Sequence, residues 1–477
     1  MVGYSGTGYK GMQINNEEKT IEGDLFKAFV AAGAISKANA DDHKKSSLVR
    51  CARTDKGVHA AGNVISLKLI IEDEDIVDKI NANLPEQIRV WGIQRTNNSF
   101  SCYQTCDSRW YEYLLPTYCL LPPHPDSWLW KQLVEVAKEK GYYDEFQKKL
   151  ADVEGYWREV DEKDIKPILD GLDPETRAKV MERIHADESA ADGEAKAEEK
   201  PAEPAAPETA QPAAEAKTPA EVPEGSVKPR NRDLTPLDFA LRDIKAAYIA
   251  AKRRYRVTPE RLGQLQAALS EYCGTINFHN YTVQKSFKDP SAKRHIKSFQ
   301  VNTRPIQIRN TEWVSLKVHG QSFMMHQIRK MVGMASLVVR CATPLERIRQ
   351  SYGPTRIAIP KAPGLGLLLE RPVFDAYNRR AKDNFGKETI DFSKYDDKLQ
   401  AFKDKQIYQR IFEVEEQENT FHIFFQQVDN FKSDYFLWLT AGGIDAGGIR
   451  TGKDEKGAKT LEAEIGDEDE DPENGDG

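Results

Sequence analysis

The sequence has no CxxC pair, no zinc-finger spacing and only six cysteines in 477 residues, at positions 51, 102, 106, 119, 273 and 341. Usage that sparse excludes a disulfide-stapled secreted scaffold and fits free thiols in a reducing compartment. Cys102 and Cys106 with His124 could in principle ligate zinc, but ordinary buried thiols are the simpler reading, and no metal is expected. There is no basic leader followed by an apolar stretch, and the longest apolar run, near Met331–Val339, is far too short to span a bilayer. A soluble intracellular protein with no membrane partner is expected. Neither GxxxxGK[ST] nor HRD nor DFG occurs, which removes the P-loop NTPases and the protein kinases.

What is present begins with charge. The formal net charge is −7, but residues 460–477 hold nine Asp and Glu with no Lys or Arg. Residues 186–224 hold eleven Asp and Glu against three Lys, and 13 of those 39 residues are Ala. Without these two segments the remainder carries +10. A basic core masked by acidic appendages points to a polyanionic partner, nucleic acid first, with a Lys-rich solvated surface as the plain alternative. Residues 186–224 contain no aromatic and one large aliphatic, Val222. They cannot bury enough to offset chain entropy, so 186–230 is expected to be disordered, like the acidic tail 451–477.

Gly6-Thr7-Gly8-Tyr9-Lys10-Gly11 spells GxGxxG. A dinucleotide loop needs a full strand before it and a helix opening at its last glycine. Here only a few residues precede Gly6, and the next helix begins only after Thr20. The glycines are therefore read as permitting a tight turn and a close backbone approach, and no nucleotide cofactor is expected.

Segments of residues 1–121 alternate as a strand at 1–4, a helix after Thr20, strands at "SLVRCA" and "NVISLKLI", a helix at "DEDIVDKINANL" and strands at "IRVWGIQRT" and "RWYEYLLPT". This is the split-βαβ order of a ferredoxin-like half. Residues 122–185 read as a mainly helical insertion and 231–259 as helical and basic. In 260–385, strands at "RHIKSFQVNT" and "EWVSLKVHG", a helix from about Met324 to Cys341 and a strand at "GLGLLLE" repeat the alternation. Residues 386–450 form a helical or mixed extension. The class is α+β, with two ferredoxin-like or RRM-like α/β halves and a cleft between them.

In "LVRCARTDKGVHAAGN", Asp55 stands at a turn with Arg53 and Lys56 beside it and Gly57 after it. Flanking cations keep a carboxylate ionised and in place; a turn-capping aspartate is the plain alternative. This block occurs in order with "GYSGTGYKGMQ", "SRWYEYLLPT", "GTINFHNYT", "GQSFMMHQIRKMVG" and "APGLGLLL". Together they resemble the TruA family of tRNA pseudouridine synthases, and within it the eukaryotic tRNA pseudouridine synthase 1 type, over about residues 1–121 and 260–371. The resemblance implies the pseudouridine synthase fold: a continuous mixed antiparallel sheet shared by both halves, with a central RNA-binding cleft. It implies that Asp55 is the catalytic aspartate, Tyr111 the aromatic stacked on the target uracil, and Arg329 the cation that orients Asp55. Arg53 then meets the RNA backbone or helps flip the nucleotide, and Leu365 and Leu367 lie in the apolar strand flooring the pocket. It also implies uridine isomerisation at several positions around the anticodon stem-loop of tRNA, with small nuclear RNA and mRNA as further substrates. Placement is nuclear, with mitochondria as a second site, and monomer and homodimer stay open. Such relatives usually have a longer basic N-terminal region and a fuller first strand, so a shortened start is expected, with some weakening of the sheet.

The chemistry agrees with these residue types. Pseudouridine formation breaks the N1–C1′ bond, turns the uracil and joins C5 to C1′, so no oxidant, water or cofactor is consumed. One carboxylate suffices, as a nucleophile or by removing a sugar proton. Flipping the base costs a few kcal/mol, which an aromatic platform such as Tyr111 offsets; a core tyrosine is its plain alternative and fits Tyr113 equally well. His326 and Arg329, three apart in a helix, can face the cleft together with Lys56 near the substrate. Lys285, Lys293, Arg294 and Lys297 lie in the basic stretch 284–309, suited to an A-form phosphate track, and "KRRYR" at 252–256 adds a second cluster. The alternatives from other classes are a non-catalytic tRNA chaperone and a glycosidase-like hydrolase. The hydrolase wants a second positioned carboxylate that the motifs do not offer.

Overall fold

The computed structural model describes residues 1–15, 18–183, 235–283 and 285–447. The Ala/Glu/Pro-rich stretch 186–230 and the acidic tail 451–477 lie outside the described residues. The chain divides into two compact units, Met1–Trp157 with Ala251–Gly477, and Arg158–Ala250. The second unit is helical where described, with helices at Lys166–Asp170 and Pro174–Arg183, and its Tyr248 hydroxyl donates to Asp161 at 2.8 Å.

In the first unit, residues from both ends of the sequence build one mixed sheet. Its strands, with those of a two-stranded sheet beside it, are β1 (Val2–Tyr4), β2 (Val49–Arg50), β3 (His59–Asn63), β4 (Ile65–Ser66), β5 (Ile88–Val90), β6 (Ser108–Pro116), β7 (Gly274–Asn277), β8 (Lys293–Val301), β9 (Ile306–Ile308), β10 (Thr311–Gly320) and β11 (Leu367–Val373). Among the described residues the large sheet runs β5-β1-β3-β11-β6-β10-β8-β7, with β9 paired to β10, while β2 and β4 pair separately. β11 runs parallel to β3 and antiparallel to β6, so a strand from the end of the chain is inserted between two strands of its beginning. β6 and β10 then join the two groups over eight residue pairs, Arg109↔Gly320 through Pro116↔Trp313.

Local signals account for most elements. Thr20 caps the helix Ile21–Ala31 by accepting from the Gly23 amide, with Glu22 and Asp24 in its first turn. In the helix Gln327–Arg340 every residue is buried. Its Gly333 is required by space, since a methyl group there would lie 2.6 Å from the Pro360 carbonyl oxygen.

Three expectations change. "SLVRCA" forms only the two-residue ladder Val49–Arg50, paired with Ile65–Ser66. The strand His59–Asn63, "HAAGN", was not expected, because Ala and Gly have low strand propensity. All five residues are buried, and the small side chains are what the position needs: a methyl group at Gly62 would lie 2.7 Å from the Phe392 ring. The third concerns the helix start. His326 precedes the helix, in the left-handed region at φ 60°, rather than lying within it.

Candidate active site

Asp55 lies between β2 and β3, on a turn closed by the Val58 amide donating to the Asp55 carbonyl at 3.1 Å. Gly57 supplies the left-handed residue, at φ 73°. The approach to this turn is held carbonyl by carbonyl. The Arg109 guanidinium donates to the Cys51 carbonyl at 2.7 Å, and the Asn63 amide group to the Ala52 carbonyl at 2.9 Å. The Met12 amide donates to the Thr54 carbonyl at 3.1 Å, and the Tyr4 hydroxyl meets the Thr54 hydroxyl at 2.9 Å. Each bond removes a backbone or hydroxyl freedom from the residues leading to the carboxylate.

The glycine-rich segment is the other half of this mounting. A methyl group at Gly6 would lie 2.3 Å from the Val58 carbonyl oxygen, and one at Gly11 would lie 3.0 Å from that of Thr54. Gly11 is also at φ 98°. The Gly57 amide donates to the Tyr9 carbonyl, and the Gly6 amide to His59 Nδ1 at 3.2 Å. The glycines let residues 6–12 lie directly against residues 54–58, which is the close backbone approach read from the sequence. His59 is fully buried; burial, aided by the Arg410 charge and opposed by the Leu365 backbone, pushes it down to about 4, so it accepts as a neutral ring.

The Asp55 side chain, 27% exposed, meets His326 Nδ1 at 3.1 Å. Burial works to raise its pKa. The hydrogen bond and charge of His326, then the charges of Arg329 and Lys361, outweigh burial and hold the carboxyl below the ordinary aspartate value. The groups that act are therefore His326, Arg329 and Lys361. Arg53 and Lys56, the sequence neighbours expected to do so, are exposed on the turn.

Arg329 is buried, and its Nε donates to the Ala362 carbonyl at 2.6 Å while the Ala362 amide donates to the Arg329 carbonyl at 3.3 Å. Gly364 lies beside the guanidinium, which would be in ordinary contact, at 3.4 Å, with a methyl group there. Lys361, buried beside this anchor, was missed by the sequence reading. Its signal was a lysine inside Pro360-Lys361-Ala362-Pro363, ahead of the Gly-Leu-Gly turn.

β6 supplies the remaining groups. Arg109, which clamps Cys51, also donates to the Gln321 carbonyl at 3.3 Å, so one guanidinium ties the Asp55 loop to the segment carrying His326. Two residues on, Tyr111 is buried with its ring edge-on to Phe323 at 5.2 Å. Tyr113 lies two further along the same strand face. Its hydroxyl is taken by the Pro363 carbonyl at 2.7 Å, which makes it the core member of the pair. Leu367 opens β11, buried opposite Tyr113. Leu365 is not in the strand but in the preceding 3-10 turn Gly364–Gly366.

The expected phosphate track divides. Lys293 and Lys297 are exposed on β8. Lys285 is half-buried and paired with Asp289 at 3.4 Å. Arg294 turns back onto the Ser291 and Lys293 carbonyls. In the 252–256 cluster, Lys252 meets His422 at 3.0 Å and Arg253 donates to the Glu416 carbonyl at 2.7 Å, so both serve packing against the C-terminal helices. No group of three or more His, Cys, Asp or Glu suited to a metal is present among the described residues, and the six cysteines are free thiols. No described helix is long and apolar enough to cross a membrane.

A family model described as tRNA pseudouridine synthase matches residues 268–375, the stretch that carries His326, Arg329, Lys361 and β11. The chain is 46% identical over 447 residues to tRNA pseudouridine synthase 1 of Yarrowia lipolytica, covering 93% of this chain and 76% of that protein. It is 47% identical over 438 residues to tRNA pseudouridine synthase 1 of Saccharomyces cerevisiae, covering 90% and 71%. It is 35% identical over 431 residues to the tRNA pseudouridine(27/28) synthase of the same yeast, covering 90% and 98%. With matches of that extent across both groups of strands, the chain belongs to the tRNA pseudouridine synthase family.

Proposed function

We propose that this chain isomerises uridine to pseudouridine in tRNA with Asp55 as its catalytic carboxylate. The observation that carries the assignment is Asp55 itself: an ionised, partly exposed carboxylate on a rigid turn, bonded to His326 and within the fields of Arg329 and Lys361. Such a group can attack the ribose or the base, or remove a sugar proton, and His326, Arg329 and Lys361 steady the charge it carries or passes on. The N1–C1′ bond breaks, the uracil turns, C5 joins C1′, and the C5 proton leaves as N1 takes one up. Product and substrate have the same composition, so the reaction calls for no cofactor.

In this reading Tyr111 is the platform for the flipped uracil, and Phe323 sets the ring's angle. Arg329 orients Asp55, His326 holds it, and Leu367 closes the apolar floor with Leu365 at its margin. Arg53 and Lys56 meet the RNA backbone beside the turn, while Lys285, Lys293 and Lys297 follow phosphates further away, with Arg294 in support. The substrates extend to several uridines around the anticodon stem-loop and to small nuclear RNA and mRNA, and the enzyme works in the nucleus. Resemblance of the ordered motifs supports these finer points.

Tritium release from tRNA carrying 5-tritiated uridine, with no added cofactor, tests the assignment. The wild type should release tritium and Asp55→Ala should not, while still binding tRNA. Release by both proteins would sink Asp55; binding without release by the wild type would leave a tRNA-binding protein.

A further inference from the structure

Met325 is exposed where nearly everything around it is buried. Met324, His326 and the whole helix Gln327–Arg340 are buried, yet the Met325 side chain is 43% exposed. Its neighbours in the chain touch the two groups assigned to the reaction. Phe323, two residues before, packs on Tyr111 at 5.2 Å. His326, one residue after, bonds Asp55 at 3.1 Å. Met325 is thus an exposed residue in the segment whose Phe323 and His326 reach Tyr111 and Asp55.

Its backbone is held in place. The Thr282 hydroxyl donates to the Met325 carbonyl at 3.0 Å, the Gln327 side chain accepts from the Met324 amide at 2.9 Å, and His326 is in the left-handed conformation that ends the segment. A large apolar side chain on such a mount costs solvation in the free protein and contributes nothing to the core. Arg53 and Lys56 are exposed on the turn whose Asp55 is bonded by His326, the residue after Met325. An exposed apolar side chain in a segment that reaches a turn carrying exposed cations suits a base stack flanked by phosphates, and unbranched, polarisable methionine can slide between bases.

We infer that Met325 is a wedge: when the target uridine leaves its helix for the site, the thioether fills the gap in the base stack and delays reclosure. The inference rests on the pseudouridine synthase reading and assigns Met325 a positioning role, without contact to the reacting atoms. The test compares two RNAs that differ only at the partner of one target uridine, paired in the first and mismatched in the second, so that only the first must be opened. Met325→Ala should lower kcat/KM on the paired RNA by about 30-fold more than on the mismatched one, equivalent to about 2 kcal/mol at 1.4 kcal/mol per decade and within the cost of unstacking a base. Met325→Leu should restore most of the difference. Equal losses on both RNAs would mark Met325 as ordinary site architecture and overturn the wedge, as would unchanged rates on both. A wild type inert on both RNAs would overturn the assigned reaction, and the wedge with it.

Discussion

Asp55 illustrates how a carboxylate can be partly buried and still ionised. Burial raises its pKa, and His326, Arg329 and Lys361 together lower it further than burial raises it, to below the ordinary 3.8. Because the folded value lies below the unfolded one, the stabilisation from ionised Asp55 is complete above the unfolded value and fades as pH falls through the folded one. Activity that needs the carboxylate shares this acid limb. Replacing Lys361 with Met removes one of the lowering charges, so the acid limb of the kcat profile should move to higher pH, while Lys361→Arg should leave it in place. A profile of unchanged midpoint in Lys361→Met would show that Lys361 does not act on Asp55. The mutation should not disturb the Arg329 anchor, which runs through the backbone of Ala362.

The loop at residues 6–12 and the turn at 54–58 act as one element. A GxGxxG spelling raises the question of phosphate binding; here the missing side chains at Gly6 and Gly11 are the space that the Val58 and Thr54 carbonyls occupy. Gly6→Ala would force a methyl group against a backbone carbonyl that cannot swing aside. A loss of about 1–3 kcal/mol is expected from overpacking, with kcat reduced because the displaced segment carries Asp55. Gly8→Ala is the contrast. Gly8 has open space around it but φ 80°, so its cost comes from backbone strain and should fall on stability more than on kcat. Denaturation midpoints and kcat for the two variants separate the effects.

Across the sheet from the site, Glu112 follows Tyr111 on β6 and faces the other way. It accepts from Ser315 and Tyr408, and with Glu370 of β11 it shares the buried Lys403 ammonium from the C-terminal extension. Two carboxylates on adjacent central strands are thus tied to a segment that follows them in sequence. Lys403→Met would leave the two buried carboxyl groups without their cation, which costs about 3–5 kcal/mol when one partner of such a network is removed. Urea denaturation should show that loss, and adding Glu112→Gln and Glu370→Gln should return most of it. If Lys403→Met leaves the midpoint unchanged, the extension is held by packing alone.

Much of this protein could be read without coordinates, wherever a feature depends on residues a few positions apart. Thr20 opening a helix, Gly57 supplying a positive φ after Asp55, the alternation of β6 and the glycines before a turn are all local rules. Composition likewise pointed to a polyanionic partner, and ordered motifs to the family. Among the partners of Asp55, Arg329 was implied by the motifs and His326 was expected at the cleft, but the bond from His326 and the charge of Lys361 were not legible. His326 lies 271 positions away, and its side chain reaches the carboxylate because β6 and β10 pair and Arg109 holds both loops. The nearest cations in the sequence, Arg53 and Lys56, are exposed on the turn, while Lys361 arrives from 306 positions further along the chain. "HAAGN" became a central strand because small residues fit between β1 and β11, a requirement set by neighbours that local propensity cannot see. The motif placed the carboxylate; strand pairing over hundreds of residues chose the groups that hold it below the ordinary aspartate value.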